Sequence, residues 1–499
     1  MAEEPPAEQT GLSRESGFHS AAQQIDLPEL LQREEQYGER NDRHENTGND
    51  DRVLRRLATR DDHEAVKSER ERIELVVDVV PALTTVRVPL VEVGREAIAR
   101  VIGAASGQRS RVVVATVASV TRRLASISRQ VSGWRHTGAM TAAMSAKQAL
   151  RMRLSSQLIE PSSAHELDVP GVVGHLLAIQ AQDFGQALWA IGLRLPKSTK
   201  ADVLGALERG EVVRSSPLRG TLFFVAAEDL RWMLRITAPR TIASAVTRHR
   251  QLGLDEGVLG RARELAIAEL TGGNAITRDR FFAALERAGI STTGQRGYHI
   301  IWHLAQTAVI CWGPPAGTQQ ALVLVDEWIP VSRDLEREQA LREFALRYFS
   351  GHGPATLRDL AWWAKLTLAD ARLGLELARA DLTEVSLDGV PHWVAADGTE
   401  VAVMGGESVH ALPGFDEYVL GYQDRSLAIA GEHSNLIVPG NNGVFLPTIV
   451  SRGRVVGTWR RTSAASGITV RPEPFGILNK GQTAGFERAA NAYRAFIAR

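Results

Sequence analysis

The segments LAIAELTGGNAITRDRFFAALERAG, from residue 265, and FALRYFSGHGPATLRDLAWWAKL, from residue 344, are two versions of one pattern. Each reads as an apolar-periodic helix, a Gly-containing break, a Thr placed as N-cap (Thr277, Thr356) and a second helix. A Thr hydroxyl there accepts a hydrogen bond from an otherwise orphaned N–H of the helix it opens. A third helical segment follows, GYHIIWHLAQTAVI or LADARLGLELARA, and then β-type sequence, QALVLVDEWIP or LTEVSLDGVPHWV. In the latter, Asp388-Gly389 is a two-residue hairpin signal. Three helices followed by a hairpin are the parts of a winged helix. The stretch from Ala149 to Val225 reads as an earlier copy, with VVRSSPLRGTLFFVAA giving two strands around a Ser-Ser-Pro turn. A repeat of this length means that neighbouring units are built alike.

After Gly398 the texture changes to short alternating strands, HALPGFDEYVLGY, GVFLPTIV, RVVGTWRR and ASGITVRPEPF, with turns at PGNNG and SRGR. These suit a small β-barrel, closed off by the helix TAGFERAANAYRAFIAR. The expected fold class is therefore α+β: three tandem winged-helix units followed by a C-terminal β-barrel. The expected divisions are 140–250, 251–332, 333–398 and 399–499. Residues 1–139 form a leader of another kind. Its first half, with runs such as REEQYGERNDRHENTGNDDR, has too few apolar residues to offset the entropy of ordering and is expected to be disordered. Its second half has no steady period and suggests no fold. Met140 and Met144 precede SAKQALRMRLSSQLI, a clean amphipathic helix, so a start there leaves a complete globular protein.

At 499 residues with 44% hydrophobic content, the chain has enough apolar sequence for a buried core without covalent staples. One cysteine, Cys311, rules out an internal disulfide framework and a clustered thiolate metal site, and fits a reducing compartment. No apolar run approaches the roughly 20 residues that cross a bilayer, and the N-terminus is too polar for a signal peptide. The expected location is the cytoplasm, with no membrane partner. A formal net charge of +0 argues against nucleic acid unless the basic residues are gathered locally.

The stretch LLAIQAQDFGQALWA has apolar residues at helical spacing, yet carries Gln180, Gln182 and Asp183 close together. If the backbone becomes extended after Ile179, Gln180 and Gln182 point to one side with their bases about 6–7 Å apart. Two amides so placed can fix a small polar molecule such as water, since each offers an acceptor and two donors. They can equally cap a helix end or face solvent. Asp183 suits an N-cap carboxylate for the helix FGQALWAIGLRL, with activation of a water as its alternative role.

IQAQD, LRGTLFFVAAEDLRWML, GPATLRDLAWWAKL, LPGFDEYVLGYQDRS and RVVGTWRR together resemble the AlkZ-like (YcaQ-like) tandem winged-helix DNA glycosylases, from about Ala149 to Arg499. The resemblance implies three winged helices and a C-terminal β-barrel around a DNA-sized channel. It also implies removal of alkylated purines, including interstrand crosslinks in some members. The catalytic signature, a Gln, an apolar residue and a Gln or Asp, falls on Gln180, Ala181 and Gln182. One position departs: two residues beyond Arg-Gly-Thr, where the family often has His, stands Phe223. Many relatives are known only as winged-helix DNA-binding proteins, so a non-catalytic DNA binder or transcriptional regulator is the alternative. The zero net charge keeps a protein-interaction scaffold as a third reading, and salt-sensitive binding to duplex DNA would remove it.

In the second unit Gln295, Arg296, His299, His303 and Gln306 recur at helical spacing opposite Ile300, Ile301 and Leu304. They make a polar face that either reads DNA or is merely solvated. In the third unit Asp370, Glu376 and Asp381 would repel phosphate, so that unit is expected to be structural. Arg452, Arg454, Arg460 and Arg461 cluster around one hairpin, either as a phosphate clamp or as a charge-protected β-edge. Asp416, Glu417, Asp424 and Arg425 suggest an internal Asp–Arg bridge, and Trp362 and Trp363 read as core. His299 and His303 stand at metal-ligand spacing without an adjacent carboxylate, so no metal is expected. No glycine loop cradles a nucleotide and no nucleophile elbow is present, so neither a nucleotide cofactor nor a Ser hydrolase is expected. Lys is scarce near the motif, which disfavours a Schiff-base lyase step. The expected partner is double-stranded DNA, bound by a monomer without cofactors.

The leader's composition supports no core shared with the rest. A chain beginning at Met140 is expected to keep its melting temperature and its DNA affinity, measured by calorimetry and fluorescence anisotropy. Aggregation of the shortened chain would overturn this reading.

Overall fold

Local capping starts the helices where the repeat places them. Thr277 accepts from the Arg280 N–H at 3.4 Å, and Thr356 forms a capping box with Asp359. The computed structural model describes residues 142–160, 167–317, 319–396, 408–464 and 467–498. The leader, and with it the expectation of disorder, lies outside them.

The described residues open with β1 (Ala142–Met144), α1 (Ala146–Ser156), α2 (Val169–His175), β2 (Ile179–Gln180), α3 (Phe184–Arg194) and α4 (Lys200–Glu208). The hairpin β3 (Val212–Leu218) and β4 (Thr221–Ala226) follows, then the long α5 (Leu230–Gln251). The second unit is α6 (Glu256–Leu270), α7 (Arg278–Arg287), α8 (Arg296–Gln306), β5 (Ile310–Ala316) and β6 (Gln319–Leu324), with one helical turn, α9 (Val325–Trp328), behind it. The third is α10 (Arg337–His352), α11 (Leu357–Ala364), α12 (Leu368–Ala378), β7 (Leu382–Leu387) and β8 (Val390–Ala395). Last come β9 (Val409–Leu412), the single turns α13 (Glu417–Leu420) and α14 (Ser434–Ile437), β10 (Thr448–Ser451), β11 (Arg454–Ala464), β12 (Gly467–Pro474) and α15 (Lys480–Ala498).

The order of elements is α+β, but the strands are shared between units. The first two hairpins join β2 in one five-stranded sheet, β2-β4-β3-β5-β6, stitched by the pair Arg214↔Trp312. The third hairpin takes β1 as a parallel partner in the order β1-β7-β8. Sharing follows from hydrogen bonding: a lone two-stranded ribbon leaves both edges unpaired, and joining another hairpin satisfies one of them. In place of a closed barrel, the C-terminal strands form an open antiparallel sheet, β12-β11-β10-β9. Trp189 of α3 buries its indole against it, donating to the Ala411 carbonyl at 2.9 Å, and the Tyr493 ring of α15 lies edge-on to Trp189 at 5.2 Å. With its inner face covered by helices, this sheet has no need to close on itself.

Cores cross the units in the same way. Residues of α2, α3 and α4 pack with Val409, Ile449, Trp459, Phe486 and Phe496, while Phe223, Trp232 and Met233 pack with Phe344, Tyr348 and Trp363. The predicted Asp388-Gly389 turn is present, with φ of 51° and 77°. The Ser-Ser-Pro turn is not: β3 runs through those residues, and the chain reverses at Arg219-Gly220, with φ of 53° and 74°. The acids of α12 and the turn after it are ion-paired at the surface, Asp370 to Arg337 and Asp381 to Arg342 at 2.6 Å each.

The polar face predicted on α8 turns inward. His299 is only 6% exposed, edge-on to His249 of α5 at 5.3 Å, and His303 meets His249 at 5.7 Å. Burial holds all three rings below their ordinary range, with His249 and Arg248 adding repulsion at His299, and His299 and His303 titrate at about 4. An unfolded chain takes up these protons near pH 6.5, before the folded one does, so stability is full above that value and falls as pH drops from about 6.5 towards 4. The melting temperature should therefore decline between pH 7 and 5, and His299→Leu should flatten the decline. An unchanged slope in that variant would show that the cluster does not control acid stability.

Candidate active site

The stretch around Gln180 is neither one helix nor one strand. Helix α2 ends at His175, Leu177 turns the chain with φ of 68°, and Ile179 and Gln180 pair with Phe224 and Phe223 of β4. The Ala181 N–H donates to the Leu222 carbonyl at 2.8 Å, which prolongs the pairing. Asp183 then ends the extended segment by capping α3, its carboxylate accepting from the Gln186 N–H at 3.0 Å. That bond gives the carboxylate a structural partner at the start of the helix.

The backbone of the motif is held from several sides. Gln180 donates its N–H to Oε1 of Glu417 at 3.0 Å. The Arg214 guanidinium donates to the carbonyls of Ala181 at 2.8 Å and Gln182 at 3.2 Å. Gln180 folds its own side chain back, Oε1 accepting from the Gln182 N–H at 3.0 Å. Gln182 differs. It is 3% exposed, and neither its Oε1 nor its Nε2 has a hydrogen-bond partner among the described residues. Leaving a buried amide unmatched costs on the order of 1–3 kcal/mol, so this group is poised for something polar brought to it.

Glu417 was not recognised as part of this centre from the sequence. It lies 237 positions from Gln180, and no local spacing links them. Its Oε2 accepts from the Trp363 indole at 2.8 Å, and the His352 ring stands 3.6 Å away. His352 is stacked on Tyr348 at 4.7 Å. Gly421 makes room for it, because a Cβ there would lie 2.5 Å from the imidazole. The neighbouring Asp416 makes the expected internal Asp–Arg bridge, but with Arg194 of α3 rather than Arg425, through two 2.9 Å bonds.

The other candidate residues are scattered. Arg296 is turned to the carbonyls of Ser291, Leu252 and Gly253, and His299 and His303 belong to the buried cluster on α8. Arg452 sits in the β10–β11 turn with φ of 51°, and Arg454 starts β11. Arg460 pairs with Glu473 at 2.7 Å. Arg461, on the opposite face of β11 from Arg460, donates to the Tyr493 hydroxyl at 3.1 Å. At about 3.3 Å per residue, the six steps from Arg454 to Arg460 span about 20 Å, so the four do not converge as one clamp. Trp363 is core, but Trp362 is half-buried and lies against two arginines, Arg219 and Arg425. Burial pushes the Cys311 thiol up to about 12, leaving it an inert core residue. Among the described residues, no three ligating side chains are grouped to hold a metal ion, and no helix is long and apolar enough to cross a membrane.

Known proteins resemble this chain in sequence and in fold. The interstrand DNA cross-link repair glycosylase of Streptomyces sahachiroi is 25% identical over 345 residues, spanning 66% of this chain and 91% of the relative. The solved structure of Streptomyces sahachiroi DNA glycosylase AlkZ superposes with a TM-score of 0.60 at 22% identity, over 72% of this chain and 98% of that one, a likeness of fold. The family model "DNA glycosylase AlkZ-like" matches residues 173–496, which include Gln180, Gln182 and Glu417. This chain belongs to the AlkZ-like DNA glycosylase family.

Proposed function

We propose that the protein is a monofunctional DNA glycosylase that hydrolyses the N-glycosidic bond of alkylated purines in duplex DNA, with interstrand crosslinks among its substrates. The observation that carries this reading is the buried, unpartnered amide of Gln182 beside Gln180, on a backbone fixed by Glu417 and Arg214. A purine alkylated at N7 or N3 already carries positive charge and leaves the sugar without a strong acid. The enzyme's task is then to place a water at the anomeric carbon and to stabilise an oxocarbenium-like sugar. In this reading the Gln182 amide holds that water, and Gln180 keeps Gln182 in place through the bond from Oε1 to its N–H. Water attacks the anomeric carbon, the bond to the purine nitrogen breaks, its electrons neutralise the cationic base, and the water's proton passes to solvent. Neutral amides do this without setting a full negative charge against the phosphates.

The helix-rich units at 140–250, 251–332 and 333–398 are read as winged helices that carry the duplex, with 399–499 completing the channel. The protein acts as a monomer without a cofactor. Arg452 and Arg454 at the β10–β11 turn, with Arg460 and Arg461 further along β11, supply backbone contacts at separate points. A non-catalytic DNA binder is the competing reading, favoured by Phe223, which is fully buried directly opposite Gln180.

Incubation with duplex containing N7-methylguanine, followed by detection of abasic sites, separates the two. Gln182→Ala and Gln180→Ala should each lower single-turnover excision by about 10²–10³, with duplex affinity almost unchanged. Asp183→Ala should instead cost about 1 kcal/mol of stability, the value of a lost cap, without a selective loss of chemistry. Wild-type excision rates in folded Gln180→Ala and Gln182→Ala would show the amides to be structural and return the protein to the DNA binders.

A further inference from the structure

Arg219 occupies the tip of the β3–β4 hairpin, where its positive φ of 53° aims it away from the sheet's regular alternation. Its guanidinium carbon lies 5.0 Å from the centre of the Trp362 ring and 5.2 Å from that of Phe223. Arg425, from the segment after α13, lies 5.1 Å from the same Trp362 ring and 5.0 Å from Phe445. One half-buried indole thus carries two guanidinium groups.

Each arginine is anchored through one side of its fork. Arg219 donates Nη1–H to the Trp363 carbonyl at 2.7 Å, and Arg425 donates Nε–H to the Val419 carbonyl at 2.8 Å. Among the described residues neither is ion-paired with a carboxylate. The nearest acids are committed elsewhere. Glu417 accepts from Gln180 and Trp363, Asp359 from Thr356 and Gln423, and Asp424 from Ser426. Burial, and then the charge of Arg219, draw Arg425 down to about 10 against the opposing pull of Asp359 and Asp424.

Arg219, through Phe223, also lies towards Gln180. Gln180 and Phe223 are direct cross-strand partners, so their side chains leave the sheet on one face, and Arg219 lies over the Phe223 ring. A planar fork with free N–H groups matches the paired oxygens of a phosphodiester. We propose that Arg219 and Arg425, mounted on Trp362, form an anion site for a DNA backbone phosphate flanking the target nucleotide, and so set the depth at which that nucleotide meets Gln180 and Gln182. The role assigned to the nucleotide rests on the glycosylase reading above; the phosphate contact itself does not.

The test uses the full chain and a 20-base-pair duplex carrying one tetrahydrofuran abasic analogue, with affinity measured by anisotropy across a salt series. Arg219→Gln and Arg425→Gln should each weaken binding by about tenfold and lower the salt slope by about one, as expected for a lost phosphate contact. Arg219→Lys and Arg425→Lys should keep the slope, because the charge remains. Neutralising each flanking phosphate in turn as a methylphosphonate should weaken wild-type binding at one position. At that position the Gln variants should lose nothing further. Wild-type slopes in the folded Gln variants, or losses that multiply when mutation and methylphosphonate are combined, would overturn the site. A wild type insensitive to every flanking methylphosphonate would do the same. If a Gln variant fails to fold, the Lys variants and the methylphosphonate scan decide. Salt-sensitive binding with these signatures but no base excision would uphold the anion site and reject the glycosylase, whereas excision without them would reject the site alone.

Discussion

Two adjacent carboxylates, Asp416 and Glu417, hold together parts of the chain that the sequence keeps far apart. Asp416 meets Arg194 of α3 in a bidentate pair with neither side chain exposed. Such a pair gains stability only when its geometry offsets the desolvation of both charges, and here further hydrogen bonds complete it. Arg194 also donates to the carbonyls of Gln157 and Ala190, and Asp416 accepts from the Tyr418 N–H. Removing one partner of a buried pair typically costs about 3–5 kcal/mol, because the other charge is left uncompensated. The next residue, Glu417, turns the same anchor towards the glutamine motif and towards Trp363 of α11. The first unit, the third unit and the C-terminal segment therefore meet at one dipeptide.

This constraint explains why the motif can consist of amides. An amide side chain is uncharged and flexible, and it positions a water usefully only if its backbone cannot move. Glu417 fixes the N–H of Gln180, Arg214 the two carbonyls that follow, and β4 the N–H of Ala181 between them. Gln180 spends its own oxygen on Gln182. What is left uncommitted among the described residues is the Gln182 amide, on a backbone hydrogen-bonded from both sides. Asp183, whose place in the sequence suits a helix cap, with activation of a water as its alternative role, is bound into the cap of α3.

What could be read from the sequence was local. Thr277 and Thr356 cap helices because a hydroxyl three residues before an N–H is sufficient cause, and Asp388-Gly389 turns because both residues tolerate positive φ. Arg219-Gly220 makes the same kind of turn, but an arginine is not a residue expected at positive φ, and the polar Ser-Ser-Pro next to it drew the turn away. Periodicity found the polar stripe of α8, yet could not distinguish a face towards solvent from a face towards another helix. His249, which decides the matter, is on α5. The sharing of hairpins between units, the open C-terminal sheet and the role of Glu417 depend on pairings over tens to hundreds of residues, for which one sequence carries no periodic signal. The two adjacent tryptophans show the limit most simply. Trp363 is core as its hydrophobicity suggests, whereas Trp362, one step round the same helix, faces the arginines.

The zero net charge that weighed against nucleic acid is explained by where the charges are neutralised. At the periphery, arginines are matched to acids: Arg337 to Asp370, Arg342 to Asp381 and Arg231 to Asp326. Such exposed pairs add little stability, about 0–1 kcal/mol each, but they cancel long-range field where no ligand is needed. Arg219 and Arg425 stand instead over aromatic rings, which hold a cation without neutralising it. A phosphate polyanion responds to the potential within about 10 Å at ordinary ionic strength, not to the total charge of the chain. A neutral protein can therefore present a positive centre next to its glutamines, and the stacking of arginine on aromatic rings is the physical means by which it keeps that centre positive.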